Sequence, residues 1–94
     1  MSSKLKYVNN TDTKVRFALD NGYKGNNEGE TVGGGKTGKS KLDNSNTRIV
    51  SAWIDEETLY PNNADASIVV YTFENGLSYI ITLSAAGNLS VTEE

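Results

Sequence analysis

The residues Gly33-Gly34-Gly35-Lys36-Thr37-Gly38-Lys39-Ser40 spell a phosphate-binding loop: glycine, four residues, then Gly-Lys-Ser. In that motif backbone amides cradle phosphates, the lysine reaches the terminal phosphates and the serine hydroxyl holds magnesium. An acidic partner is also present, because the apolar run Ile49–Ile54 ends in Asp55, the shape of a magnesium-holding strand terminus. The chemistry, however, needs a buried strand before the loop and a helix after it, with the helix dipole facing the phosphates. Upstream, Asn26 to Val32 carries one aliphatic residue and two carboxylates, and downstream, Lys41 to Thr47 is built of poor helix formers. The expectation is a solvated loop and no nucleotide hydrolysis.

Two other groupings carry usable chemistry. Asp43-Asn44-Ser45-Asn46 and the set Asp55, Glu56, Glu57, Asn62, Asn63 and Asp65 offer hard oxygen ligands, which calcium accepts where two loops meet. Asp43, Asp55 and Asp65 are the metal candidates, although Asx-rich turns are ordinary on any β-protein. Tyr23 with Asn26 and Asn27, and Tyr60 with Asn62, Asn63 and Asp65, combine an aromatic face with amide and carboxylate groups. A ring stacks on the apolar face of a sugar while amides pair with hydroxyls, so these seven residues are the candidate ligand site and a glycan is its favoured ligand, ahead of calcium. The competing reading folds both tyrosines over the rim of the core.

Composition narrows the rest. The chain has no cysteine and no histidine, which removes disulfides, thiolate metal sites, thiol nucleophiles and the commonest general base. Apart from possible calcium, no cofactor and no enzymatic activity are expected. A formal net charge of −3 opposes polyphosphate, making nucleic acid and anionic membrane poor partners. Met1-Ser2-Ser3-Lys4-Leu5-Lys6 lacks the apolar run of a secretory signal, and no stretch reaches the roughly 20 apolar residues of a membrane span, so the sequence as written reads as cytoplasmic.

The elements that would position these groups are strands. Ninety-four residues suit one domain, residues 1–94, with a Gly/Asn/Lys-rich stretch at 20–46 that forms a long loop or two weak edge strands. Such a small chain must bury nearly every large apolar side chain, Trp53, Phe17 and Phe73 included. Val15, Phe17 and Leu19 alternate with polar residues as in a half-buried strand, and Leu5–Val8 reads as its hairpin partner across Asn9–Asp12. Arg48–Ile54 reads as a central strand covered on both faces or crossing the core. Ser67–Phe73 and Leu77–Leu83 flank Asn75-Gly76, a strong hairpin signal, and a turn at Ala86-Gly87-Asn88 extends them to a C-terminal three-stranded meander. Tyr7, Tyr71 and Tyr79 fall within strands as lining. The whole predicts an all-β fold, a small antiparallel β-sandwich of about 6–8 strands, with a closed barrel as the alternative.

Val8-Asn9-Asn10-Thr11, the alternating Val15, Phe17 and Leu19 and the Gly-rich segment after them resemble the first hairpin of aegerolysin-type and actinoporin-type membrane-binding sandwiches. The resemblance covers less than half of the chain and implies a sandwich, while the aromatic clusters those families use at membranes are missing. The functional expectation is a non-catalytic binding module, lectin-like through its Asn/Tyr-rich loops. The alternatives are a calcium-binding domain and a self-associating protein pairing through edge strands near Ile68–Phe73 or Leu89–Thr92.

Overall fold

The computed structural model describes residues 2–20, 29–43, 46–55, 58–60 and 68–94, and among them every regular element is a strand. The strands are β1 (Ser2–Asn9), β2 (Val15–Leu19), β3 (Gly29–Val32), β4 (Thr37–Asp43), β5 (Thr47–Asp55), β6 (Thr58–Leu59), β7 (Ile68–Thr72), β8 (Ser78–Leu83) and β9 (Leu89–Glu93). Period-two alternation drives this assignment: Ser3, Leu5, Tyr7 and Asn9 of β1 are buried while Lys4, Lys6 and Val8 between them are not. β8 repeats the pattern with Tyr79, Ile81 and Leu83 inside.

Two sheets result. The first has the order β4-β1-β8-β9, with β1 parallel to β8 and the other pairs antiparallel. The second has the order β3-β2-β5, with β6 and β7 both on the far side of β5. Their inner faces meet around Tyr7, Phe17, Leu19, Leu42, Val50, Phe73, Tyr79, Ile81 and Leu83, a single core. The expected sandwich is therefore the fold, and the sheets do not close into a barrel. The weak 31–42 region supplies β3 and β4, which lie at the edges of their respective sheets.

Four expectations need correction. The first hairpin does not form, because β1 and β2 belong to opposite sheets; Asn9 at the end of β1 turns the chain across the core. Its buried side-chain amide donates to the carbonyls of Thr13, Val32 and Gly33, and its oxygen accepts from the Thr11 amide and hydroxyl. One asparagine thus ties together both turns that cross between the sheets at this end.

The Asn75-Gly76 reversal is likewise no hairpin. β7 pairs with β5 in the second sheet, β8 with β1 in the first, so the C-terminal meander keeps only its β8–β9 half. The cause lies in side-chain packing: Phe73 and Tyr79 stack edge-on at 5.0 Å and Tyr71 meets Tyr79 at 5.6 Å, faces touching across the layers. The turn's backbone is claimed by β1, since the Ser3 hydroxyl donates to the Glu74 carbonyl at 2.6 Å and the Gly76 amide donates to Ser2.

β5 is flanked by strands on both sides but covered on one face only, leaving Ile49 45% exposed. Trp53, expected in the core, is half-buried on that outer face. Its indole N–H donates to the Ser51 hydroxyl at 2.7 Å, so the ring lies back along its own strand, and Ser51 is buried although it points outward.

Candidate functional site

The glycine-lysine octet folds as the crossing from β3 to β4 and the first half of β4, and no helix begins at Gly38. The solvated loop expected there is instead ordered strand from Thr37 onward. Gly34 packs so closely on Asp12 that an added Cβ would sit 2.6 Å from a backbone carbon, and one at Gly38 would strike the Val32 side chain at 2.8 Å. These glycines are required by packing between sheets. Strand alternation then separates the two residues that a phosphate loop uses jointly: Ser40 points inward and shares a 2.8 Å hydrogen bond with the Tyr7 hydroxyl, whereas Lys39 points out.

Of the seven candidate ligand residues, Tyr23, Asn26, Asn27, Asn62, Asn63 and Asp65 lie outside the described residues. Tyr60 is half-buried and packs against the core, with its backbone amide bonded to the Ala52 carbonyl at 3.1 Å. Among the metal candidates, Asp43 and Asp55 are both exposed and lie far apart. The Asp43 carbonyl accepts from Arg48 near the start of β5, and Asp55 ends that strand seven residues further on, about 23 Å away. No group of three metal-ligating side chains is present among the described residues. Arg48 itself is engaged by Asp20 in an ion pair.

A different constellation emerges on the outer face of the first sheet. β1 and β4 pair with Lys4 opposite Lys41 and Lys6 opposite Lys39. The buried partners Leu5, Tyr7 and Leu42 fix the strands' inner faces, so all four lysines point outward. Directly opposed residues have Cβ atoms about 5 Å apart, and residues two apart along a strand about 7 Å, so four ammonium-bearing chains rise from one small rectangle. Two open depressions lie among them, one lined by Lys4, Leu5, Lys6, Lys39, Ser78 and Glu94, the other by Lys4, Leu5, Lys39, Ser40 and Lys41.

Like charges directly opposed across strands destabilise a sheet. Among the described residues no ion pair with a carboxylate engages any of the four. The chain's formal charge is −3; setting these four positive charges aside leaves −7 on the remainder. The molecule thus concentrates positive charge on one face against its own average. The signal in the sequence is the doublet Lys4-Leu5-Lys6 and Lys39-Ser40-Lys41, two Lys-x-Lys triplets on alternating strands. What joins them is the β1–β4 register, which links positions some 35 residues apart in the chain.

Comparisons with protein-family models, with curated proteins and with solved structures each return no match for this chain. Among the described residues no helix is long and apolar enough to cross a membrane.

Proposed function

We propose that this protein is a non-catalytic binding module that holds an anionic ligand on the outer face of its four-stranded sheet, through Lys4, Lys6, Lys39 and Lys41. The observation that carries the reading is the cross-strand register placing four lysines in one rectangle, an arrangement that costs stability unless a partner neutralises it. A flat, hydrogen-bonded pair of strands holds the lysine stems rigidly spaced, so a ligand with several negative charges meets them without reordering the backbone. The expected glycan remains compatible with this face, whereas the loop site proposed from Tyr23 and Tyr60 has only Tyr60 described, and that ring is turned onto the core.

The test is a titration of the isotopically labelled chain with dextran sulfate and with polyphosphate, followed by amide chemical shifts. Shifts concentrated on residues 4–6 and 39–41, weakening as salt is added, are expected. Shifts confined to residues 21–28 and 61–67, or no shifts with either polymer, would sink the lysine-face assignment.

A second reading is favoured by the sheet edges. Among the described residues β7 pairs only with β5 and β9 only with β8, so each strand offers an open side to a second copy, and Val70 on the outer face of β7 is 64% exposed. Light scattering that reports a monomer at every concentration would remove it.

A further inference from the structure

Resting on that reading of the lysine face, we infer that its ligand is a single linear polyanion chain of the sulfated-polysaccharide class. Three features of the face narrow the chemistry. The first is what surrounds the lysines: the neighbouring outward positions are Ser78, Thr82, Thr92 and Thr37 together with the aliphatic Val8 and Ile80, the latter directly opposite Lys6, and no aromatic residue stands among them. A strip that binds single-stranded nucleic acid needs rings on which bases stack, and this face has none. Hydroxyls and ammonium groups instead match a polymer rich in hydroxyls and in evenly carried negative charge.

The second feature is the choice of cation. Both arginines of the chain, Arg16 and Arg48, lie on the other sheet. Planar bidentate recognition of a phosphate favours the guanidinium fork, whereas a lysine acts as a point charge with free rotation. Four point charges at about 5 by 7 Å suit singly charged groups distributed along a chain.

The third is the boundary of the positive area. Glu94, whose amide bonds to the Ser78 carbonyl at 2.8 Å, stands in the cross-strand row of Lys4, two strands from β1 and so about 10 Å away. Asp43 stands on β4 two residues beyond Lys41, about 7 Å along the strand. Carboxylates therefore close two sides of the rectangle. A broad anionic body, a duplex or a lipid surface, would lay phosphates over those carboxylates and meet the −7 remainder of the molecule. A single chain passing over Lys4, Lys6, Lys39 and Lys41 toward the open edge of β4 avoids both.

The experiment measures, by titration calorimetry on the full chain, binding of heparin fragments of increasing length, of the same fragments after complete desulfation, of a 20-base-pair DNA duplex and of vesicles containing phosphatidylserine. The expected result is affinity that rises with fragment length until the four lysines are covered and falls at least tenfold on desulfation. It should also weaken by about 40- to 150-fold between 50 and 200 mM salt, as neutralisation of three to four anionic groups requires. Lys39→Ser with Lys41→Ser should lose at least tenfold with circular dichroism unchanged, and Lys14→Ala should change nothing. Desulfated fragments binding equally well, or duplex or vesicles binding more tightly than heparin, would overturn the inference while leaving anion binding by the face intact. Failure of every anion to bind would remove the underlying reading as well.

Discussion

The two outward-facing sheet surfaces of this sandwich are built by the same alternation and yet have opposite character. On the first sheet the outward positions of β1 and β4 carry Lys4, Lys6, Lys39 and Lys41; on the second, Ile49 opposes Val70, and Ile68 and Trp53 continue the apolar strip. Folding dictates the inward residues of both sheets, because only those bury surface against the opposite layer. The outward residues are free of that demand, so unfavourable choices there, opposed like charges on one side and exposed aliphatic groups on the other, point to something besides folding. The contrast teaches that the two surfaces present different chemistry to the surroundings: one invites charge, the other apolar contact.

The largest expected effect comes from breaking what both surfaces share. Asn9 holds the two sheets in register through side-chain bonds to Thr13, Val32 and Gly33, so Asn9→Ala removes three donated bonds across the crossing turns and the acceptor of the Thr11 amide and hydroxyl. A loss of about 3 kcal/mol is expected, lowering the melting temperature by on the order of 15 °C in a thermal circular dichroism scan. A loss under about 1 kcal/mol would mean that the crossing turns hold without the clamp.

Next in size, Trp53→Ala removes the half-buried ring from the apolar surface and uncovers Ser51, for about 2 kcal/mol by urea denaturation. If the cost is near zero, the ring serves a partner and contributes nothing to the isolated fold. The lysine surface should respond with the opposite sign. Lys39→Thr with Lys41→Thr relieves two opposed pairs and is expected to stabilise the free protein by about 0.5–1 kcal/mol at low ionic strength, the gain shrinking toward zero in 1 M salt. Destabilisation at low salt would show that the ammonium groups are already satisfied. Smallest of all, Val70→Thr should alter stability by no more than about 0.5 kcal/mol while lowering any self-association seen by sedimentation, which sharpens the distinction between the two surfaces.

Much of the fold was legible because its signals are local. The turn at Ala86-Gly87-Asn88 joins β8 and β9 as an ordinary hairpin, with Leu83 opposite Leu89. Asn75-Gly76 carries an equally strong reversal signal and yet joins two sheets. A turn sequence specifies that the chain reverses, while edge-to-edge or face-to-face contact is chosen by distant partners, here β5 for one strand and β1 for the other. The phosphate-loop spelling has a related origin: Gly34 answers to the Asp12 backbone, brought near by folding, and Gly38 to the Val32 and Glu30 side chains across the β3–β4 crossing. Of the candidate site, the loop residues stand out in the sequence by type, whereas the lysines do not, because each triplet alone looks like an ordinary solvated strand.

Read alone, the order of residues determined that the chain forms strands and which side of most of them turns inward, because alternating apolar and polar positions match the two-residue repeat of an extended backbone. Val15, Phe17, Leu19, Tyr79, Ile81 and Leu83 were assignable to the core on that ground. Only the tertiary structure decided which strands are neighbours: β1 running parallel to β8, β7 leaving β8 for β5, and Lys4 and Lys6 facing Lys41 and Lys39. Hydrogen-bonded pairing between remote segments is set by the packing of the whole core, and the charged surface exists only once that packing is complete.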